Sequence, residues 1–394
     1  PSVSPEPSSA HLHHISTKAS TNGATHPSVS PEPSSSEANL TDYNKKLSDE
    51  SKSSVGTIVA VVVIAALLLF VGIVILVVFL RRKKRGQSEK DSTLYDERRQ
   101  AFKELVLSIC ELGVPGILKE YKDIRGQTGN FEGKKEANDS NPEKNRYNDV
   151  FCGDRNRVIL TYPPGSPSDY IHANWVDVSD GRKHICAQGP LPNTVEDFWR
   201  MVWQEKCRSI VMLCSCIEAN KKKCEQYYPE TEDAEMTSGT LSIKATARSK
   251  LDNNFMLTKL TVTDGKETLE VDHIQWVNWP DKGVPKETTQ CLKLIERIRP
   301  LSPAIIHCSA GIGRTGTLVA LDIFFTSVRK GEFPKIKDVV LELRANRLGA
   351  VQTDVQYLYI HKVVVDVAVE QKVVTVDEVR DFNAKYEEKR KSVE

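Results

Sequence analysis

The first 109 residues contain no cysteine; all nine cysteines of this 394-residue chain lie at or after Cys110. Residues 1–54 are also poor in large apolar side chains. The first absence excludes a disulfide-stapled ligand-binding domain in the N-terminal part. The second leaves too little burial there to offset the entropy of ordering. The cysteines that are present lack the spacing of a zinc site, Cys214-x-Cys216 being tighter than C-x2–4-C, so no metal is expected. No charge of one sign dominates: 54 Lys and Arg stand against 53 Asp and Glu, a net charge of +1. That balance gives no electrostatic case for a nucleic-acid partner.

One segment organises what is there. Val55–Leu80 is a run of 26 residues without a charge. As a helix it would extend about 39 Å, enough to cross a hydrocarbon core of about 30 Å with some tilt. Buried core helices rarely carry more than about 14 such residues. The basic run Arg81–Arg85 follows at once, and the positive-inside bias places the rest of the chain in the cytosol. The expected organisation is an extracellular stalk (1–54), a transmembrane helix (55–80), a basic juxtamembrane segment with a lead-in helix (81–116), a catalytic domain (117–370) and a charged tail (371–394). The stalk is rich in Ser, Pro and Thr and repeats "PSVSPEPSS" at Pro1 and Pro27. It reads as a flexible, O-glycosylation-prone spacer. Asn39-Leu40-Thr41 is an N-glycosylation acceptor, usable only if this side is lumenal. His11–His14 reads as solvated low-complexity sequence rather than a metal site. A chain opening on Pro1 is expected to be a fragment or processed form of a protein with a longer ectodomain. Arg81–Arg85 either binds anionic inner-leaflet lipid or serves as a topology signal alone.

The cytosolic region reads as one α/β unit. Ser209–Ser215 and Ala304–Cys308 are short apolar runs suited to buried strands. Residues 193–204 put Val195, Phe198, Trp199, Val202 and Trp203 on one helix face, with Asn193 and Glu196 at capping-box spacing. Residues 255–276 form a hairpin pattern with Asp264-Gly265 at its turn. Residues 315–328 are apolar nearly all round, as a central buried helix would be.

The stretch "AIIHCSAGIGRTG" joins such a strand to such a helix through a glycine-rich turn. Part of it matches the G-x-G-x-x-G dinucleotide fingerprint. Strand, turn and helix start make an anion site from unpaired backbone N–H groups and the helix dipole. A pyrophosphate site needs no reactive group, yet Cys308 opens this turn and Arg314 lies inside it. A thiol facing such donors should have its pKa depressed into a range of roughly 3.5–7.5, making it a thiolate at neutral pH. Arg314 offers a planar fork for two phosphoryl oxygens. Nucleophile and cradle in one turn point to attack on a tetrahedral oxyanion; a buried structural cysteine is the bland alternative.

"HCSAGIGRTG", His307–Gly316, resembles the phosphate-binding signature of the cysteine-dependent protein tyrosine phosphatases. The resemblance extends over about 250 residues. It implies a central mixed twisted sheet flanked by helices, Cys308 as nucleophile, and Arg314 with Ser309, Ala310, Gly311, Ile312 and Gly313 as the cradle, supported by His307 and Thr315. "WPDKGVP" (Trp279–Pro285) resembles the mobile acid loop, which makes Asp281 the general acid and Trp279 its support; Lys282 stands where relatives often carry His or an aromatic. An ordinary β-turn is the alternative for Pro280–Gly283. "KNRYNDV" (Lys144–Val150) resembles the phosphotyrosine-recognition loop, with Tyr147 as the aromatic wall and Asp149 as acceptor for substrate N–H groups. "VQTDVQY" (Val351–Tyr357) resembles the loop that positions the hydrolytic water, with Gln352 holding it and Gln356 assisting; Thr353 also fits as a helix N-cap. Glu218 and Lys223, in "IEANKKKCEQYYP", match the residues that flank the site, although the lysine run also fits a solvated face. Tyr228 replaces the usual Trp. In the packing motifs "DYIHANWVD" and "AQGPLPNT", His172 replaces the usual Asn and Trp175 the usual Tyr.

The expectation is a single-pass receptor-like tyrosine phosphatase with one catalytic domain, acting on phosphotyrosine-containing proteins at the cytosolic face of a membrane. It works through a cysteinyl-phosphate intermediate and needs no cofactor; the sequence names no extracellular ligand. Two alternatives belong beside it. A phosphotyrosine-binding pseudophosphatase would have lost Cys308, Arg314 or Asp281. A dual-specificity phosphatase would lack the Tyr147 loop.

Overall fold

The computed structural model describes residues 37–128 and 133–392. They form two units, one ending at Gln87 and one beginning at Ser88. The first is helical from Glu37, where a flexible stalk was expected as far as residue 54. Residues 37–54 mix helix formers with charges of both signs. They run without a Pro or Gly into the apolar stretch, so an established helix extends through them at one hydrogen bond per residue. Val61–Arg81 is long and apolar enough to cross a membrane, and none of it is buried inside the protein. The side chain of Asn39 and residues 1–36, with His11–His14, lie outside the described residues.

The second unit is built on nine strands: β1 (Arg157–Ile159), β2 (Tyr170–Asp177), β3 (Lys183–Ala187), β4 (Ser209–Met212), β7 (Glu235–Ser238), β8 (Leu241–Lys250), β9 (Phe255–Thr263), β10 (Thr268–Trp276) and β11 (Ala304–His307). Their order is β1-β2-β3-β11-β4-β10-β9-β8-β7. The two-residue strands β5 (Ile217–Glu218) and β6 (Lys221–Lys222) form a separate hairpin. β11 runs parallel to both β3 and β4, and β10 runs parallel to β4; the other pairs are antiparallel. All four residues of β11 are buried, as expected of a strand covered on both faces. Its carboxyl end opens at the centre of the sheet, the place where open α/β sheets hold ligands.

Helices α1 (Glu37–Thr128), α2 (Glu136–Asp139), α3 (Val195–Gln204), α4 (Thr289–Ile298), α5 (Arg314–Lys330), α6 (Ile336–Asn346), α7 (Asp354–Glu370) and α8 (Arg380–Lys391) complete the chain. α5 is buried from Arg314 to Ser327, confirming a central helix. α3 presents Phe198, Trp199, Val202 and Trp203 to the core. It is not capped by Asn193: residues 192–194 make a 3-10 turn led by Pro192, Thr194 is the N-cap, and the Asn193 amide donates to the Glu143 carbonyl instead, at 3.0 Å. α1 is interrupted at Gly113, with φ 62° and ψ 173°, two residues before Pro115. Phe102, Val106 and Ile109 before the break and Ile117, Tyr121 and Ile124 after it keep helical spacing and join the same core as the sheet. At the other end Phe382 and Tyr386 of α8 are buried in that core as well. The β9–β10 hairpin turns at residues 264–267, where the Asp264 carboxylate accepts from the N–H groups of Lys266 and Glu267 at 2.9 and 2.8 Å.

Candidate active site

The turn between β11 and α5 is shaped by what its glycines permit. Gly311 has φ 71°, and a Cβ there would lie 2.1 Å from the Ala187 carbonyl oxygen. No side chain fits, so the turn folds tightly onto β3. This brings the Gly311 N–H to the Cys308 sulfur, at 3.2 Å. At Gly313 a Cβ would meet the amide groups of both Gln352 and Gln356, at 3.1 Å each, so the missing side chain admits the two glutamines to the cradle.

The cradle is held open from behind by a buried cation. Arg347 is fully buried, donating from Nε to the Gly311 carbonyl at 3.1 Å and from an Nη to the Ala310 carbonyl at 3.0 Å. With the Ala310 carbonyl drawn outward, the N–H of the same peptide, that of Gly311, turns toward Cys308. The guanidinium also bonds Asn174 at 2.8 Å and the His172 Nδ1 at 3.1 Å. An arginine only donates, so His172 Nδ1 accepts and Nε2 carries the hydrogen, which goes to the Val150 carbonyl at 3.0 Å. Burial and the Arg347 charge push the His172 pKa down to about 3, fixing this neutral form. His172 therefore ties the Tyr147 loop to the phosphate turn. Arg347 has no local signal in the sequence, lying 36 residues beyond the glycine whose carbonyl it holds.

Cys308 lies at the floor. Burial alone would raise its pKa, but the Arg314 charge, the Thr315 hydroxyl and amide and the Gly311 N–H outweigh burial and hold it below the ordinary thiol value. His307, behind it, is fully buried, with its pKa lowered by burial to about 4. Its Nδ1 faces the Cys308 carbonyl at 3.2 Å and its Nε2 the Tyr227 hydroxyl at 2.7 Å. It supports the turn as a neutral ring and takes no proton.

Arg314 is 2 % exposed and grips Glu218 with both ends of its fork, at 2.7 and 2.8 Å. It also donates to the Trp279 carbonyl at 3.1 Å and to Asp281 at 3.2 Å. Burial works against its charge, yet the Glu218 carboxylate and the Cys308 sulfur hold its pKa above the usual guanidinium range. Lys223 pairs with the other oxygen of Asp281. Burial raises the Asp281 pKa, but the Lys223 bond and the Arg314 charge prevail and hold it below the usual carboxylate range. Trp279 anchors the acid loop: it is buried, stacks edge-on against Trp276 at 4.6 Å between ring centres, and donates its ring N–H to the Gly283 carbonyl at 3.1 Å.

The Tyr147 hydroxyl meets Ser309 Oγ at 2.8 Å, and Ser309 in turn donates to the Lys223 carbonyl at 2.8 Å. Val150, Ala310 and Ile312 form a small apolar cluster against Tyr147. Gln352 lies at the start of α7, where Thr353 does cap the helix: its hydroxyl accepts from Gln356 N–H at 3.2 Å, and Gln356 Oε1 accepts from the N–H groups of Gln352 and Thr353 at 3.1 and 3.2 Å. Gln356 thus fixes the loop that presents Gln352. One cavity of 470 Å³ is lined by Cys308, Ser309, Ala310, Gly313, Arg314, Tyr147, Asp149, Glu218, Lys223, Asp281, Gln352 and Gln356. Gly311, Ile312, His307, Thr315 and Trp279 stand behind it. Among the described residues no cluster of His, Cys, Asp or Glu could hold a metal ion.

The family model described as Protein-tyrosine phosphatase matches residues 141–366. The human receptor-type tyrosine-protein phosphatase C is 36% identical over 260 residues, covering 64% of this chain and 20% of that protein. The Lar-like tyrosine-protein phosphatase of Caenorhabditis elegans is 40% identical over 260 residues, covering 64% of this chain and 12% of that one. The chain therefore spans a fifth or less of the length of these two relatives. The human tyrosine-protein phosphatase non-receptor type 9 is 33% identical over 290 residues, covering 68% and 48%. Among solved structures, the catalytic domain of human protein tyrosine phosphatase non-receptor type 18 is 35% identical with a TM-score of 0.60, covering 64% of this chain and 95% of that one. Cradle, acid loop, recognition loop and family match all fall in one stretch, and the chain belongs to the protein-tyrosine phosphatase family.

Proposed function

We propose that this chain hydrolyses phosphotyrosine in proteins at the cytosolic face of a membrane, through a cysteinyl phosphate. The observation that carries the chemistry is the placement of Cys308, Arg314 and Asp281 in one cavity, with a backbone N–H on the thiol. The Cys308 thiolate attacks phosphorus while Arg314 and the turn amides hold the equatorial oxygens. Asp281 protonates the departing phenolate. In the second half Gln352 holds a water, Asp281 takes its proton, and the phosphoryl group leaves Cys308 as phosphate. Asp281 is ionised in the arrangement described here. A substrate dianion competes for Arg314 and, as a like charge nearby, raises the Asp281 pKa so that the acid is loaded when it is needed. The Tyr147 wall sets the depth: a phosphoserine is too short to reach Cys308 from that rim. A solved complex of phosphatase non-receptor type 18 with HER2 phosphor-peptides, 34% identical with a TM-score of 0.62, supports peptide-borne phosphate as the substrate.

The membrane reading rests on Val61–Arg81 and the basic run that begins at its end. Receptor-type relatives favour it; the non-receptor relatives show that the catalytic fold alone does not require it. On this reading the catalytic domain is cytosolic, Asn39 is an extracellular glycosylation acceptor, and Arg81–Arg85 lies on anionic inner-leaflet lipid. The test is turnover of one peptide phosphorylated on Tyr or on Ser, with EDTA present. Fast release of phosphate from the tyrosine form alone is expected. Equal release from both would favour dual specificity. Binding without release would make the chain a pseudophosphatase.

A further inference from the structure

The β5–β6 hairpin, which carries Glu218 and leads into Lys223, is closed at its base by three thiols. The Cys216 carbonyl accepts from the N–H groups of both Lys223 and Cys224, at 2.8 and 3.3 Å. Two residues of the returning strand therefore oppose one of the outgoing strand, a bulge that sets Cys224 against Cys216. Cys216 Sγ donates to Gln226 Oε1 at 3.3 Å. Both sulfurs reach the Glu225 carbonyl, Cys216 at 3.8 Å and Cys224 at 3.2 Å. Cys216 is partly open to solvent, whereas Cys214 and Cys224 are buried. The neighbouring Cys224 thiol holds the Cys216 thiol below the ordinary value against the opposing effects of burial, Glu230 and Glu225. Burial drives Cys224 upward. One thiol is thus open to solvent, and a second, buried thiol shares the Glu225 carbonyl with it.

We propose that Cys216 and Cys224 close into a reversible disulfide under peroxide, and that this bridge is a brake on the hairpin that holds Glu218 and Lys223. The Cys216 thiolate attacks one peroxide oxygen; the O–O bond breaks and the departing hydroxide leaves as water after taking a proton. The Cys224 sulfur then attacks the sulfenic sulfur of Cys216. The S–O bond breaks, and the hydroxide leaves as water with the proton that Cys224 gives up. Two thiols and one peroxide become one disulfide and two waters, and a dithiol restores the pair. In a reducing compartment such a bridge is a transient sensor rather than a structural staple. Its lever is direct. Lys223 is bonded in sequence to Cys224, pairs with Asp281, and gives its carbonyl to Ser309. A shifted acid costs less than a lost one, so turnover should fall roughly tenfold.

The test uses the full chain with Cys308→Ser, which removes the competing active-site thiolate. It is treated with hydrogen peroxide, alkylated and cut with trypsin. Trypsin cleaves after Lys221, Lys222 and Lys223, so peptides 209–221 and 224–244 separate unless a bridge joins them. The joined pair is expected, lost on dithiothreitol and absent when Cys216→Ser is added. A joined pair that persists with Cys216→Ser assigns the bridge to Cys214 and overturns the proposal; recovery of Cys216 and Cys224 both alkylated overturns it too. With Cys308 intact and shielded by inorganic phosphate, peroxide should slow turnover roughly tenfold, reversibly, and spare Cys216→Ser. Equal loss in the two chains would remove the brake. The peptide readout stands apart from turnover, so it does not depend on the hydrolytic reading.

Discussion

At the scale of single residues, the proposed mechanism separates groups that hold the phosphoryl group from one that acts on the leaving oxygen. Asp281 arrives on its own loop, so Asp281→Ala should lower kcat by about 10²–10⁴ while phosphotyrosine peptide stays bound. If Arg314 holds the phosphoryl group as proposed, it does so in ground and transition states alike, and Arg314→Ala should raise KM and lower kcat together. Steady-state kinetics of both variants on one peptide checks this; a raised KM with unchanged kcat in Asp281→Ala would make Asp281 a binding residue. The Thr315 hydroxyl is one of the groups that lower the Cys308 pKa. Removing it must raise that pKa, so the acid limb of kcat/KM, which falls as the thiolate is protonated, should move to higher pH in Thr315→Val. An unmoved limb would remove Thr315 from this role. Cys308, Arg314 and the turn glycines were legible in the sequence because they are contiguous and each has a chemical task there. Glu218 was legible only through resemblance, since it meets Arg314 across 96 residues. Arg347 was not legible at all: a buried arginine holding carbonyls leaves no periodicity and no motif.

At the scale of elements, the phosphate turn is only as firm as the seating of α5 against β3. Asp322, at the middle of α5, accepts from Arg182 at 2.8 and 3.0 Å and from His184 of β3 at 2.7 Å. Burial raises its pKa, but these partners prevail and hold it well below the carboxylate range. The folded pKa is thus the lower one. The stability it contributes is present above the unfolded carboxyl value of about 3.9 and is lost as pH falls toward the folded value. Asp322→Asn should cost about 1–3 kcal/mol, because it takes the carboxylate from buried His184 and leaves half-buried Arg182 with Asp180 alone. Denaturant melts at neutral and acidic pH check both points: the gap between the variant and the parent should shrink in acid. Hairpin and helix were readable from local pattern, as β9–β10 and α3 show. The cap of α3 and the strand order were not, although the Thr353 cap of α7 was. Pro192 takes the chain into a 3-10 turn before Asn193 can cap, and β11 finds its neighbours β3 and β4 far away in sequence, by burial rather than by proximity.

At the scale of the whole chain, the apolar helix and the catalytic unit make separate claims. If Arg81–Arg85 lies on anionic lipid at about 1 kcal/mol per basic residue, a peptide of residues 81–95 should partition into anionic vesicles far better than into neutral ones. Equal partition would leave the run as a topology signal. The central claim is the covalent one, that Cys308 carries the phosphoryl group between two half-reactions. It is tested most directly by slowing the second half with Gln352→Ala, mixing the chain with phosphotyrosine peptide, quenching in denaturant and mapping the phosphoryl group by mass spectrometry. The account predicts a burst of one dephosphorylated peptide per chain and phosphate on the Cys308 peptide, with both lost in Cys308→Ser. Steady release of phosphate with no burst, no modified cysteine and continued turnover in Cys308→Ser would contradict it.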